Sequence, residues 1–259
     1  MSQTLLMIHG VGCGGDAWDV MRPAFEKAGW RCHAPTLFAD KRTREAPPAD
    51  LSFLLLHDYV EAMAGEAARI EAESGQKPAV IGHSMGGLIA QKLCERGLAR
   101  AAVFLTPAQP KDCQVFDPRV LFTFWNIVAA NDPTRAYKVW RPGFFWGVLN
   151  AVPADRREAI YARALFDSGR VYRDLAEVEK DPHRTAIVDE TRIACPTLTI
   201  AAGRDRATVP AAVRKVAAKY ARSGGDFIAY PDNAHWIVDE PGTDRVCADI
   251  VSWLGAKAG

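Results

Sequence analysis

Ser84 has the sequence surroundings of a nucleophile. It stands in Gly82-His83-Ser84-Met85-Gly86, directly after the apolar run Ala79-Val80-Ile81 and before an Ala/Leu-rich run that predicts a helix. A serine between a strand and a helix in the pattern G-x-S-x-G lies on a sharp turn that exposes its hydroxyl. Glycine suits positions 82 and 86 because the residues two positions from the serine crowd together. An ordinary Gly-Ser turn is the alternative interpretation.

A serine hydroxyl becomes a nucleophile only beside a general base, which a carboxylate must hold in the correct tautomer. His235 ends the loop 231–235 after the last predicted strand, and we predict that it is the base. Asp205 follows the preceding strand, and we predict that it is the acid. The order Ser, Asp, His is the one expected for this type of turn. A surface-loop histidine and an exposed aspartate paired with Arg204 or Arg206 are the alternatives.

Attack on an acyl carbonyl creates an oxyanion, which preorganised hydrogen-bond donors must stabilise. We predict that two backbone N–H groups supply them, one from Met85 after the nucleophile and one from Val11 in His9-Gly10-Val11-Gly12. The competing interpretation of this glycine-rich loop is phosphate binding. We do not expect it, because no P-loop Lys-Ser/Thr follows the glycines.

The patterns around these residues predict an α/β fold with a mostly parallel sheet and helices on both faces. Short apolar runs indicate buried strands, and parallel strands need crossover connections, which are usually helical. The carboxyl ends of such strands meet at one edge, so the predicted site residues should lie together there.

Asp16 is the predicted N-cap of the first helix, and residues 35–52 should form an exposed loop. Predicted strands span about 4–8, 30–34, 78–82, 101–105, 195–202 and 226–230, and predicted helices about 17–28, 53–73, 85–96, 210–221 and 243–254.

The alternation of strands and helices stops between Pro107 and Glu190. We interpret residues 107–190 as an inserted helical lid, and residues 1–106 and 191–259 as the α/β core. The insertion is rich in aromatic residues, most of which should form its own core. The others should face the site and favour a hydrophobic acyl or alkyl group. The predicted substrate-binding residues are Trp18, Phe122, Trp125, Phe144, Phe145, Trp146 and Trp236.

The composition fits one large domain and excludes several partner classes. The chain has 259 residues, 32 Lys and Arg against 31 Asp and Glu, and no long basic run, so neither nucleic acid nor an acidic membrane is an expected partner. No apolar run is long enough to cross a bilayer, and we do not expect the first residues to be a signal peptide. The six cysteines are scattered without metal-ligand spacing, which predicts reduced thiols and a cytoplasmic location. The sequence also has no HExxH motif and no carboxylate cage, so we expect no metal, and we expect no cofactor.

Together these motifs resemble those of the α/β-hydrolase superfamily. The resemblance covers nearly the whole chain outside the insertion, and it implies the α/β-hydrolase fold and a Ser-Asp-His triad. The opening stretch Gly14-Gly15-Asp16-Ala17-Trp18, with Ala28-Gly29-Trp30, is also similar to the small plant methylesterases and hydroxynitrile lyases. The motifs that carry the family resemblance are His9-Gly10-Val11-Gly12, Gly82-His83-Ser84-Met85-Gly86-Gly87, Gly203-x-Asp205 and Asn233-Ala234-His235-Trp236.

The sequence departs from the family pattern in two places. Residues 34–38 read Ala-Pro-Thr-Leu-Phe where many relatives have Asp-x-x-Gly, so this loop should have a different shape. A gapless match would put Arg206 at the acid position, so the choice of Asp205 requires a shift of one residue. The other carboxylates considered for this role are Asp181, Asp189 and Asp232.

The expected function is hydrolysis of a small to medium, hydrophobic carboxylic ester through an acyl-serine intermediate, with a thioester, lactone or amide as related substrates. The resemblance also admits other chemistry with the same triad, namely that of C–C hydrolases, perhydrolases and hydroxynitrile lyases. A receptor that binds a hydrophobic small molecule with little turnover is the alternative from a different class. An intact set of Ser84, Asp205 and His235 argues against the receptor.

Overall fold

The computed structural model describes residues 3–258, so Met1, Ser2 and Gly259, at the ends of the predicted core ranges, lie outside it. Six strands form one parallel sheet in the order β2-β1-β3-β4-β7-β8, and the other two form a short antiparallel pair. The strands are β1 (Gln3–Ile8), β2 (Trp30–His33), β3 (Ala79–His83), β4 (Ala101–Leu105), β5 (Ala136–Tyr137), β6 (Asp167–Ser168), β7 (Thr197–Ala202) and β8 (Asp226–Tyr230).

Both faces of the four central strands, β1, β3, β4 and β7, are buried, as their apolar runs predict. Successive side chains of a strand point to opposite faces, so Leu5 and Met7 join one apolar cluster while Leu6 and Ile8 join another. Helices α1 and α10 contribute to the first cluster, and α2, α3 and α9 contribute to the second. The predicted fold class is therefore confirmed. The helices are α1 (Arg22–Lys27), α2 (Leu56–Ser74), α3 (Met85–Glu95), α4 (Pro118–Thr123), α5 (Trp125–Ala130), α6 (Arg141–Gly143), α7 (Ala154–Arg163), α8 (Gly169–Ala176), α9 (Pro210–Ala221) and α10 (Thr243–Lys257).

The first predicted helix is wrong in its extent. Residues Gly15–Trp18 form a single 3-10 turn, and the α-helix begins only at Arg22. Pro23 explains the interruption, because proline has no N–H for a helix that runs through it but fits the first turn of a new one. Asp16 consequently lies inside the 3-10 turn, and the N-cap position belongs to Gly14, without a side-chain cap.

The predicted exposed loop 35–52 is also partly wrong. It contains two 3-10 turns, Ala39–Lys41 and Ala49–Phe53, and the side chains of Leu37, Arg42 and Leu51 are buried. Arg42 is covered because it forms an ion pair with Asp167, which lies 125 residues further along the chain.

Residues 106–196 connect β4 to β7 and are called the long connection below. The long connection contains five helices, α4 to α8, and the β5–β6 pair. None of the helices in residues 3–258 combines the length and the apolar character needed to cross a membrane. All the strands of the parallel sheet point their carboxyl ends to the same edge, which is where Ser84, Asp205 and His235 follow β3, β7 and β8.

Candidate active site

Ser84 occupies a strained turn between β3 and α3. Its backbone angles are φ 54° and ψ −120°, which non-glycine residues rarely adopt. A side chain at Gly86 could not be accommodated, because its Cβ would lie 2.1 Å from the carbonyl oxygen of Ile8. At Gly82 a Cβ would lie 2.0 Å from the Gly86 oxygen. The turn therefore requires glycine on both sides of the serine, for the steric reason given from the sequence.

His235 and Asp205 form a buried pair. The His235 Nδ1–H donates to Asp205 Oδ2 over 2.8 Å, and the two residues are 4% and 0% exposed. This hydrogen bond fixes the tautomer of the imidazole, so Nε2 is the ring nitrogen that can accept a proton. The pair has the relation that a catalytic base and its orienting acid need.

Thr208 helps to orient the Asp205 carboxylate, although the motifs in the sequence did not single it out. The backbone N–H groups of Ala207 and Thr208 donate to Oδ1 at 2.8 Å each, and the Thr208 hydroxyl lies 2.8 Å from Oδ2. The same hydroxyl lies 2.9 Å from the carbonyl oxygen of Thr106, to which it can donate instead. The signal for Thr208 was present in the sequence Asp-x-x-Thr, because an aspartate readily accepts from N–H groups two and three residues later.

The geometry also distinguishes between the carboxylates that the sequence left open. Arg206, the residue at the acid position in a gapless match, donates to the carbonyl oxygen of Trp146 and stacks its guanidinium 4.3 Å from that ring. Asp205 is thus the carboxylate of this loop that contacts His235. The other candidates either accept N–H groups of their own turns or face solvent: Asp181, Asp189 and Asp232.

The loop that carries His235 is held by two further buried groups. The His83 Nε2–H donates to the carbonyl oxygen of His235 over 2.8 Å, and burial lowers the pKa of His83 to about 3, so this ring is neutral. Glu240 accepts the N–H of Ala234 at 2.6 Å and the Nδ2 of Asn233 at 3.0 Å. Burial raises the pKa of Glu240. Glu240 has no local motif that would have identified it from the sequence.

The N–H groups predicted to bind the oxyanion are available. Within residues 3–258, the backbone N–H groups of Val11 and Met85 have no hydrogen-bond acceptor. Both residues line the same cavity as Ser84. Val11 lies in a turn closed by the Cys13 N–H and the Gly10 carbonyl oxygen, and Met85 begins α3, where the N–H groups of a first turn lack intrahelical partners.

The glycine-rich loop has the spacing G-x-G-x-x-G at Gly10, Gly12 and Gly15. In dinucleotide-binding proteins this spacing leads into a helix whose N-terminus binds the phosphates. Here only the four-residue 3-10 turn Gly15–Trp18 follows. Moreover, the N–H of Gly12 already donates to the carboxylate of Asp167 at 2.8 Å. The negatively charged Asp167 therefore already accepts the hydrogen bond of an N–H group that a phosphate would need.

A cavity of about 870 Å³ opens at Ser84, a size typical of small-molecule sites. Helices α4 and α5 supply part of its apolar wall, and Thr208 and Ala207 line it near the Asp205 loop. The apolar side chains from these two helices that line it, together with Phe124 between them, are Val120, Leu121, Phe124, Ile127 and Val128. A substrate in this cavity would place a long apolar group against these helices.

The seven predicted substrate-binding aromatics lie outside the wall of this cavity. Trp18 is fully buried in the core, Phe144 and Trp236 pack on each other, and Phe145 packs on Tyr161. The remaining three face solvent, with exposed fractions of 38% to 52%: Phe122, Trp125 and Trp146. Aromatic content identified the correct part of the chain, but which side of α4 and α5 faces the site depends on how the helices rotate against the core.

Sequence comparison identifies the family. The profile of the alpha/beta hydrolase family matches residues 5–248, which is nearly the whole chain. The chain belongs to the alpha/beta hydrolase family. This result confirms the resemblance drawn from the motifs and the prediction of an α/β-hydrolase enzyme. No curated protein sequence matches the chain.

Solved structures show the same fold at low sequence identity. A monoacylglycerol lipase from Paleococcus ferrophilus is 17% identical, with a TM-score of 0.70 over 98% of this chain and 94% of that chain. A methylesterase from Arabidopsis is 13% identical, with a TM-score of 0.69 over 98% and 99%. A pyrethroid hydrolase from Sphingobium faniae JZ-2 is 18% identical, with a TM-score of 0.69 over 99% and 98%.

Proposed function

We propose that this alpha/beta hydrolase cleaves small to medium, hydrophobic carboxylic esters through an acyl-serine intermediate. Ser84 Oγ attacks the ester carbonyl carbon, and its proton passes to His235 Nε2. The alcohol leaves with that proton, and a water molecule activated by the same histidine then releases the acid. Asp205 orients His235 throughout, and the N–H groups of Val11 and Met85 stabilise the oxyanion of both steps.

One observation carries this proposal: a strained, cavity-facing serine shares its sheet edge with a buried His-Asp pair. The strained backbone of Ser84 and the complete burial of the Asp205 carboxylate both lower the stability of the folded protein. Such costs are concentrated at functional sites. The available N–H groups of Val11 and Met85 add donors where the oxyanion would form.

The cavity supports the substrate class. Its apolar side chains from α4 and α5 suit an acyl or alkyl chain. We propose that residues 107–190 act as a lid whose cavity side, rather than the exposed aromatics, selects the chain length. The names of the structural relatives, which include a lipase, a methylesterase and a pyrethroid hydrolase, agree with an ester substrate.

We infer a cytoplasmic location from the cysteines. All six are free thiols, which is the usual state in a reducing compartment.

The test is turnover of p-nitrophenyl esters of graded chain length by the wild type and by Ser84→Ala. We expect activity in the wild type, greatest for medium chains, and a loss of roughly a million-fold in kcat in the variant. A fluorophosphonate probe should label the wild type at Ser84. Ser52→Ala is the matched control, because Ser52 is also 8% exposed but bonds to the carbonyl oxygen of Ala49.

Two results would contradict the proposal. Activity that survives in Ser84→Ala would exclude the acyl-serine. Tight binding of esters without release of p-nitrophenol would favour the receptor expected as the alternative.

A further inference from the structure

The turn that presents the Val11 N–H is held from outside the sheet. Gly12 follows Val11 and has φ +70°, a conformation that favours glycine. Its N–H donates to Asp167 Oδ2 at 2.8 Å, and its carbonyl oxygen accepts the N–H of Leu165 at 2.8 Å. Both partners belong to residues 165–181 of the long connection, called the second segment below. The peptide between Val11 and Gly12 is thus oriented directly by the second segment.

Asp167 is itself fully buried and fully bonded. Its Oδ2 accepts Arg42 Nη1 at 2.7 Å besides the N–H of Gly12, and its Oδ1 accepts the Tyr59 hydroxyl and the Ser168 N–H. These four donors come from four separate parts of the chain. Because each carboxylate oxygen has two donors, the side chain cannot rotate without losing bonds.

The same network reaches the other end of the loop. Arg42 Nε donates to the carbonyl oxygen of Leu37 at 2.9 Å, and the Leu37 N–H donates to His9 Nε2 at 3.0 Å. His9 Nδ1–H in turn donates to the carbonyl oxygen of Gly10. The residues on both sides of Val11 are therefore tied to the Arg42–Asp167 ion pair.

We propose that Asp167 is a positioning residue for the oxyanion hole: it holds the peptide after Val11 so that the Val11 N–H faces the Ser84 site. Arg42 balances its charge, because an unpaired carboxylate beside the developing oxyanion would oppose the reaction. This proposal deepens the proposed ester hydrolysis and rests on it for its effect on rate, but not for its effect on the loop.

The test compares Asp167→Asn with Asp174→Asn. Asp174 is an equally buried carboxylate of the second segment, but its Oδ2 accepts the N–H of Leu56 at the start of α2. Asparagine keeps the volume of the side chain but provides one acceptor oxygen for donors that two oxygens served. In Asp167→Asn we expect faster amide hydrogen exchange in a peptide covering residues 9–15 and a kcat lower by about 10- to 100-fold, with KM nearly unchanged.

In Asp174→Asn we expect a lower Tm, unchanged exchange of residues 9–15, and nearly wild-type kcat once corrected for folded protein. Unchanged exchange of residues 9–15 in Asp167→Asn would overturn the proposal, as would equal losses of kcat in both variants. If Asp167→Asn does not fold, Tyr59→Phe removes one of the four donors without a change of charge, and the same two measurements should move in the same direction by a smaller amount. The hydrogen-exchange result tests Asp167 even if Ser84 proves not to be a nucleophile.

Discussion

Two parts of the long connection line the same cavity but are held very differently. In residues 114–132, called the first segment, Phe116, Phe122 and Trp125 expose 83%, 42% and 52% of their surface. In the second segment, Asp167 and Asp174 are completely buried and bond to backbone N–H groups of the core. The first segment lines the cavity and exposes large apolar side chains to solvent. The second segment is hydrogen-bonded to the core, in part at the sheet edge that carries Ser84, Asp205 and His235, which we call the catalytic edge.

This difference predicts where substitutions act. Changes at the catalytic edge, or at the groups that hold it, should alter the rate for every ester or unfold the protein, since buried polar networks and close backbone contacts tolerate little change. Changes in the first segment should alter the choice of ester and leave stability nearly the same.

The largest contrast is expected between Asp205→Asn and Asp117→Asn. Asp205 orients His235, and its replacement by asparagine should lower kcat by about 10⁴-fold because the imidazole then favours the wrong tautomer. Asp117, in the first segment, caps α4 by accepting the Arg119 N–H, and asparagine is an equally good N-cap, so this replacement should leave both kcat and stability nearly unchanged. Steady-state kinetics on one ester measure both. Near-wild-type kcat in Asp205→Asn would assign the acid to another residue.

Gly86→Ala tests how closely the backbone packs at the catalytic edge, and Gly65→Ala, at an open position, is its control. The new Cβ would lie 2.1 Å from the Ile8 carbonyl oxygen, so we expect a loss of about 3 kcal/mol or more in the free energy of unfolding. Gly65 is an open position within α2, because a Cβ at this residue would meet no neighbouring side chain or element within 4 Å. Gly65→Ala should therefore stabilise the protein by up to about 1 kcal/mol. Urea unfolding measures both values, and a mild effect at Gly86 would contradict the close contact.

Stability should fall at mildly acidic pH because of two histidines at the catalytic edge. Burial lowers the pKa of His9 to about 4 and that of His83 to about 3, so both stay neutral in the folded protein. The unfolded chain binds protons at these residues as the pH falls through about 6.5, which favours unfolding. Each should cost roughly 1.4 kcal/mol at pH 5.5. The first segment contains no histidine.

Urea titrations at pH 7.5 and pH 5.5 measure this loss. His83→Gln keeps a donor for the carbonyl oxygen of His235 but does not titrate, so it should remove about half of the difference between the two pH values. Burial raises the pKa of Asp174 and of Glu240, so protonation of these two carboxyl groups on acidification opposes the loss. Equal stability at both pH values would contradict the lowered pKa values of His9 and His83.

The smallest effects distinguish the two sides of α4. Leu121 lines the cavity, while its neighbour Phe122 is 42% exposed. Leu121→Ser should lower kcat/KM for long-chain esters by about tenfold and leave acetate esters nearly unchanged, because about 1.4 kcal/mol of apolar contact is lost only for the long chain. Phe122→Ser should change neither by more than about threefold. If Phe122→Ser has the larger effect, the exposed side of the first segment contacts the substrate.

Local patterns in the sequence were sufficient to predict most of the core. The strand Asp226–Tyr230 and the helix Pro210–Ala221 have the predicted bounds, because an apolar run marks the one and a proline at the first position marks the other. The rule that parallel strands end at one edge also led to His235 and Asp205, whose contact the structure contains.

The remaining features depend on contacts that no local pattern encodes. Asp167 and Arg42 lie 125 residues apart, and neither has a motif that announces its partner. The rotation of α4 and α5 is set by packing against the core, so composition alone pointed to the exposed Phe122 and Trp125 instead of Leu121. Glu240 is a surface-type residue by identity and is buried only through the loop that it holds.

The most direct test of the account is to trap the acyl-enzyme. Wild-type protein is mixed with p-nitrophenyl hexanoate, quenched in acid within the burst phase, digested, and mapped by mass spectrometry. We predict a hexanoyl group on Ser84, formed at the rate of the p-nitrophenol burst, and no hexanoyl group in Ser84→Ala. A burst with the acyl group on another residue, or turnover with no acylated Ser84 peptide, would contradict it.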